Sequence, residues 1–346
     1  MTKRITLKDV AKQAGVSYQT VSKVLRGQGN VTAETATRIQ TAVQELGYRP
    51  NVRARNLRVQ HSHLIAYSWP PEPPDVYNPI LEKFLQSIIE ATEALGHHIL
   101  AFSWQQKSDL AVEGYRDLIQ SGQIDGLILS SVEFNDSRVA YLMDLNFPFV
   151  AFGRSNPEWD FPYVDIDGSD GIQQVTNHLL QQGHRRIAIL AWPETSRTGE
   201  DRLHGYYEAM RQANVNIEPE WVIRGENTTS VGYKMAEQLL QLTPAKRPTA
   251  LICLSDTMAI GAMNAAQNIG FVVGQDIAIT GFDDVPLIQY MRPPLTTVRQ
   301  PIWEVGQRII ELLFQAMAGE ISLERHILLK PKLIIRQSTE GTVTNE

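Results

Sequence analysis

A single cysteine among 346 residues excludes a disulfide framework and points to a reducing compartment. No apolar run reaches the roughly 18 residues that a membrane span requires. The opening M-T-K-R-I-T-L-K-D-V has no apolar stretch of a secretory signal. The expectation is a cytoplasmic, nucleoid-associated protein with no membrane partner. Neither G-x-G-x-x-G nor G-x-x-x-x-G-K-[ST] occurs, so no dinucleotide or nucleoside-triphosphate site is signalled and no cofactor is expected. No G-x-S-x-G elbow exposes a serine nucleophile. Asp283 and Asp284 are neighbours whose side chains point apart, whereas two glycosidase carboxylates must flank one bond across about 5–9 Å. His61-x-His63 and His97-His98 lack a Cys or carboxylate at metal-ligand spacing. Cys253, inside A-L-I-C-L-S, fits a buried strand residue better than a nucleophile. No catalytic constellation assembles, and no enzyme activity is expected.

What is present is unevenly placed. The chain carries 32 Lys and Arg against 38 Asp and Glu, a net charge of −6. Residues 1–60 hold eleven Lys and Arg but three Asp and Glu, a surplus of +8, so the remaining 286 residues carry −14. A basic head on an acidic body is the electrostatic footprint of a protein that sets one end on nucleic acid. Within that head, Leu7, Val10, Ala11 and Ala14 fall at i, i+3, i+4 and i+7, one face of a short helix. Gly15 supplies a tight turn and Ser17 stands where an N-cap belongs. A second helix follows with Val21, Val24 and Leu25 facing inward. Tyr18, Gln19, Ser22, Lys23 and Arg26 then face out, with hydrogen-bonding groups suited to base edges and phosphates in the major groove. A third helix is expected from Thr32 or Ala33 to Leu46, with Ile39, Ala42, Val43 and Leu46 inward and Gly47 as its stop. Pro50 breaks the chain. The stretch from Asn51 to Leu57, flanked by Arg58 and basic through Arg53 and Arg55, is shorter than the ~12–15 residues a helix needs to persist alone, so it should fold only when held.

From residue 62 the rhythm changes. Short apolar runs at 64–69, 98–103, 125–130, 147–152, 186–192, 250–255 and 277–282 read as strands. Helical patterns lie at about 79–95, 109–121, 137–145, 168–182, 201–213, 230–242, 256–269 and 302–318. Such alternation implies parallel sheets covered on both faces, and its length implies two of them.

These residues carry a family likeness. A-G-V-S-Y-Q-T-V-S (14–22), V-T-A (31–33), L-G-Y-R-P-N (46–51) and N-V-R-A-R-N-L (51–57) resemble the headpiece of the lactose-repressor (LacI/GalR) family of bacterial regulators. The stretch from Gly281 to Pro301 (G-F-D-D-V-P-L-I-Q-Y-M-R-P-P-L-T-T-V-R-Q-P) is close to a family signature. The resemblance covers essentially the whole chain. It implies a small all-α helix-turn-helix headpiece on an α/β core of the type I periplasmic-binding-protein kind, two Rossmann-like lobes with ligand between them. The corresponding boundaries are 1–50 for the headpiece, 51–61 for a hinge and 62–340 for the core. The N-lobe would span 62–161 and 292–322 and the C-lobe 162–291 and 323–340, with crossovers near 160–163, 291–293 and 321–325. By the same resemblance Tyr18, Gln19 and Lys23 read bases, within a DNA-contacting set that also includes Thr6, Ser17, Ser22, Asn30 and Asn51. The hinge would pair with its dimer mate, placing Leu57 as a minor-groove wedge and Ala54 beside it.

Ligands of open α/β sheets bind beyond the carboxyl ends of strands. Those ends present Trp69, Arg154, Trp192, Ser255, Asp256 and Asp283, with Tyr77 and Asn78 before the first core helix and Arg202 opening the helix after Trp192. Carboxylates and guanidinium groups suit hydroxyl pairs, and aromatic faces can pack on a sugar ring. The resemblance adds that Arg202 and Asp283 match positions that hold sugar hydroxyls in sugar-responsive members. Trp159 either reaches the cleft or packs at a crossover. The resulting expectation is a homodimeric repressor on a pseudo-palindromic operator, its affinity for double-stranded DNA controlled by a mono- or disaccharide inducer. The T-V-T-N-E end carries no heptad pattern, which favours a dimer over a tetramer. A purine co-repressor is the alternative effector, since some family members use one. A sugar-binding protein without a DNA function fits the basic head poorly.

Overall fold

The computed structural model describes residues 5–25, 31–48, 61–69, 78–103, 113–320 and 323–341. The chain divides into two compact units, Met1–Ser62 and His63–Glu346.

The first unit is three helices, α1 (Leu7–Ala14), α2 (Tyr18–Val24) and α3 (Ala33–Glu45). Each start is capped, at Ser17 as the sequence predicts and at Thr6 and Thr32 as well. The Thr6 backbone N–H donates to the Asp9 carboxylate at 2.8 Å, Ser17 Oγ accepts from the Thr20 N–H at 3.0 Å, and Thr32 Oγ1 accepts from the Thr35 N–H at 3.3 Å. Gly15 closes α1 at φ +64°, a left-handed turn that favours glycine. Val10, Ala11, Ala14, Val21, Ile39 and Ala42 form the core, completed by Tyr48. Leu25 differs from expectation: as the C-cap of α2 it has turned outward and is exposed, while Val24 is half-buried. Arg26 lies outside the described residues.

The second unit carries two parallel sheets. In the N-lobe, β1 (Leu64–Trp69), β2 (His98–Ser103), β3 (Gly126–Leu129), β4 (Phe149–Phe152), β5 (Tyr163–Ile166) and β11 (His326–Leu329) lie in the order β11-β5-β4-β3-β1-β2. The helices α4 (Pro79–Ala94) and α11 (Ile302–Met317) pack on one face against Ile65, Tyr67 and Ile128. On the other face α5 (Glu113–Gln120) and α6 (Ser137–Asp144) meet Ala66, Leu127 and Leu129. Alternate residues of one strand thus enter opposite cores, which is why β3 is apolar without a break. In the C-lobe, β6 (Ile187–Ala191), β7 (Val222–Arg224), β8 (Ala250–Cys253) and β9 (Ala278–Thr280) lie in the order β7-β6-β8-β9. They are covered by α7 (Gly168–Gln181) and α8 (Arg197–Gln212) on one face, and by α9 (Thr229–Leu240) and α10 (Asp256–Ile269) on the other. An antiparallel pair, β10 (Thr297–Arg299) and β12 (Lys332–Ile334), completes it.

The chain crosses between lobes later than the sequence suggests. Strand β5 pairs with β4 and β11 in the N-lobe sheet, so the first crossing follows Ile166 rather than lying at 160–163. Val298 of β10 is buried in the C-lobe core and α11 begins at Ile302 in the N-lobe, which moves the second crossing from 291–293 to 300–301. The third falls between Leu329 and Lys332 rather than at 321–325. Tyr-Val-Asp-Ile and its partner His-Ile-Leu-Leu are four-residue strands at one side of the sheet, far apart in sequence, so their pairing has no local signal. Trp159 packs into the N-lobe core. Cys253 is buried on β8, and burial pushes its thiol far above the usual range. No helix among the described residues is long and apolar enough to cross a membrane, and none of their His, Cys, Asp and Glu clusters can hold a metal ion.

Candidate functional site

Parallel strands with helical crossovers bring all their carboxyl ends to one side, and in this core both sheets open onto one cavity of about 160 Å³. The N-lobe contributes Ser131, Phe152, Asp165 and the N-cap Asn78, and the C-lobe contributes Trp192, Arg202, Asn227 and Asp283. Gln300 stands at the second crossing.

Arg202 dominates the polar wall. It projects from the second turn of α8, because Ser196 caps that helix through the Gly199 N–H at 3.1 Å and starts it earlier than expected. Arg202 is buried, its Nη1 donates to the Leu254 carbonyl at 2.5 Å, and its guanidinium lies 3.7 Å from the Phe282 ring centroid and 4.8 Å from that of Trp192. Only Gly168 fits beside it, since a Cβ there would lie 2.8 Å from Arg202 Cγ. Asp283 Oδ1 sits 3.8 Å from Arg202 Nη2 and accepts from Gln300 Nε2 at 2.6 Å. Burial pushes the Asp283 carboxyl up to about 6, against the pull of Arg202 and Gln300. Burial likewise lowers Arg202 from its usual value. Two buried N–H groups of the cavity wall, Trp192 Nε1 and Arg202 Nε, have no hydrogen-bond partner among the described residues. Neither nitrogen has accessible surface on the cavity, so both belong to its packed wall.

Asp283 is held in a strained conformation by its neighbours. Its φ is +126° and that of Asp284 is +56°, conformations that L residues rarely adopt. Asp256, buried behind the loop, accepts from the Val285 N–H at 2.9 Å and from Thr297 Oγ1 at 2.6 Å. Its carboxyl is raised well above the usual range, by burial first and then by the charge of Asp283. Asp284 faces away from the cavity. Burial favours its neutral form, but hydrogen bonds from Arg336 at 2.7 Å and Arg299 at 2.5 Å outweigh that and hold the carboxyl below its usual value.

Of the ligand residues expected from sequence, the cavity gathers Asn78, Trp192, Arg202 and Asp283. Four others stand elsewhere. Trp69 packs edge-on against Tyr67 at 5.7 Å. Ser255 caps α10 through the Met258 N–H at 3.1 Å and lies 2.5 Å from Asn227 Oδ1, so it supports a cavity residue from behind. Asp256 supports the Asp283 loop. Arg154 is engaged by Asp165 at 2.7 Å and Asp201 at 3.0 Å. Tyr77 lies outside the described residues. Sequence reasoning missed Asp165, because β5 passed for a connection, and Asn227 and Gln300, which sit in irregular segments just beyond β7 and β10. A strand-end position was the signal available for both.

In the headpiece, Tyr18, Gln19 and Lys23 are exposed on one side of α2, with Ser22 half-buried beside them. The hydroxyls of Thr6 and Ser17 have local partners, Asp9 Oδ2 at 2.6 Å and Thr20 Oγ1 at 2.8 Å, so both residues serve first as caps. Asn30, Asn51, Ala54 and Leu57 lie outside the described residues.

A helix-turn-helix unit and a two-lobed core with a cavity between its sheets define a DNA-binding regulator controlled by a small molecule. Residues 6–51 match the family of bacterial regulatory proteins of the lacI type, and residues 176–339 match a periplasmic binding protein-like domain. The HTH-type transcriptional repressor CytR of Escherichia coli (strain K12) is 35% identical over 338 residues, 97% of this chain and 96% of that protein. Among solved structures, a regulatory protein of the LacI family from Chloroflexus aggregans is 51% identical, with a TM-score of 0.77 over 82% of this chain and 100% of its own. The lac repressor dimer bound to operator and the anti-inducer ONPF is 28% identical, with a TM-score of 0.86 over 97% of this chain and 99% of its own. The chain belongs to the LacI family. It is a DNA-binding transcriptional repressor, and not an enzyme.

Proposed function

We propose that operator affinity is set by an uncharged, hydroxyl-rich ligand of monosaccharide size, held between the lobes by Arg202 and Asp283 and acting as inducer. The observation that carries this reading is the pairing of a buried guanidinium with a buried carboxylate 3.8 Å away in the cavity lining. Vicinal hydroxyls both donate and accept, which that mixture requires. The cavity's 160 Å³ suits one sugar ring better than two. The purine alternative is weaker, because one face of Trp192 is already covered by Arg202 and is closed to a stacked base.

The regulator is proposed to act as a homodimer on a pseudo-palindromic operator whose half-sites lie about one helical turn apart. Tyr18, Gln19 and Lys23 would contact the major groove, with residues 51–57 as a hinge whose order depends on the ligand. A thermal-shift screen of the full chain against D-glucose, D-galactose, D-fructose and D-ribose, with hypoxanthine and guanine as the counter-class, tests the effector. A ligand at 100 times its dissociation constant adds ~2.7 kcal/mol to the folded state. Stabilisation by a sugar supports the reading, and stabilisation by purines alone overturns it.

A further inference from the structure

Arg154 was expected at the ligand, yet its guanidinium faces away from the cavity and joins two carboxylates of different lobes. It follows β4 in the N-lobe. Its Nε donates to Asp165 Oδ2 on β5 at 2.7 Å, and its Nη2 lies 3.0 Å from Asp201 Oδ1 on α8 of the C-lobe. All three side chains are four-fifths buried or more, so their attraction is far less screened than that of a surface pair. A second contact crosses from the same helix: Arg197, one turn before Asp201, places its guanidinium 5.3 Å from the centroid of Phe134, in the N-lobe loop after β3. Successive helical residues point about 100° apart. Asp201 therefore reaches the opposite lobe while Arg202, the next residue, reaches the cavity. Asp165 has two sides as well, one lining the cavity and one engaged by Arg154.

We propose that Arg154 is a positioning residue that fixes Asp165 as an acceptor in the cavity and, through Asp201, fixes the lobes against each other, so that ligand fit and lobe spacing are set together. This rests on the reading of the cavity as a hydroxyl site. Burial raises the Asp165 carboxyl, and Arg154 is the charge that opposes the rise. Without Arg154, Asp165 would tend to the neutral form and lose one acceptor.

The test uses the full chain and separates the two readings. Cysteines introduced at exposed positions, Glu90→Cys in the N-lobe and Gln241→Cys in the C-lobe, carry a dye pair, since the native Cys253 is buried. Asp201→Asn and Arg154→Met are expected to broaden the interlobe distance distribution equally. Their double variant should add nothing further, because both cut one tie. Arg154→Lys, which keeps the charge but not the second donor of the fork, should restore the parent distribution only in part. In calorimetric titrations with the four sugars above, Asp201→Asn should weaken the binding hexose or pentose about fivefold, Arg154→Met more, and Arg202→Ala should abolish it. An unchanged distance distribution in folded Asp201→Asn and Arg154→Met overturns the proposal, whatever the sugars do. If the distances change but no sugar binds the parent, the hydroxyl-site reading fails, and the part given to Asp165 as an acceptor fails with it.

Discussion

Arg202 and Asp283 meet at 3.8 Å across the cavity wall, and each is fixed by a different partner, the Leu254 carbonyl for Arg202 and Gln300 for Asp283. Neither can swing away without leaving a buried group unpaired. The pair is thus preorganised, with its geometry already set before a ligand arrives. Arg202→Lys keeps the charge but loses the planar fork that serves Leu254 and the ligand together. A charge-assisted hydrogen bond is worth about 1.5–3 kcal/mol, so titration should show affinity falling roughly 10–100-fold.

The same burial makes Asp283 destabilising. Its folded-state value of about 6 stands above the 3.8 of an ordinary carboxyl. Between those values the folded chain binds more protons than the unfolded one, so this residue's contribution lowers stability as pH rises from about 4 to about 6. The contribution is on the order of 2–3 kcal/mol. Asp283→Asn should flatten that part of the pH profile in urea unfolding and leave a variant more stable than the parent at pH 7, with ligand binding lost. Asp256 and Asp165, raised in the same direction, would account for slope that remains.

Asp256 supports the loop that carries Asp283. Asparagine can offer its Oδ1 to the Val285 N–H and its Nδ2 to Thr297 Oγ1, so Asp256→Asn should cost little. Asp256→Ala leaves both partners unpaired, about 1–3 kcal/mol each. Gly281→Ala strikes the same contact from the other side, since its Cβ would lie 2.2 Å from Asp256 Oδ1. Thermal melts of the three variants should rank Asn near the parent and both alanine variants well below it.

In the headpiece, Ser17→Ala removes the cap of α2 and should cost about 1 kcal/mol of local stability. Lys23→Gln should reduce the salt dependence of operator binding by about one unit of slope if Lys23 meets a phosphate. Gln19→Ala should instead relax base preference at one position of the half-site. Anisotropy titrations at several salt concentrations separate these outcomes.

Much of this was legible in the sequence because its signals are local. The cap at Ser17, the turn at Gly15 and the unbroken apolar strands β3, β6 and β8 each follow from neighbouring residues. Asp283 and Arg202 were legible from the strand-end rule together with a family likeness. Less legible were features that depend on distant partners. Whether Asp256 or Arg154 reaches the cavity is decided by Thr297, Val285 and Asp201, 41, 29 and 47 residues away in sequence. Asp165 stayed hidden because the alternation of its strand, with Val164 and Ile166 inward, runs for four residues only.

The central claim is that occupation of this cavity changes affinity for DNA, and it can be measured directly. An operator selected from a random duplex pool would be titrated with the full chain, with and without the sugar that stabilises it, in the parent and in Arg202→Ala. At least a tenfold weakening by the sugar is expected in the parent and none in the variant. Equal operator affinity with and without sugar in the parent, or the same weakening in Arg202→Ala, would contradict it.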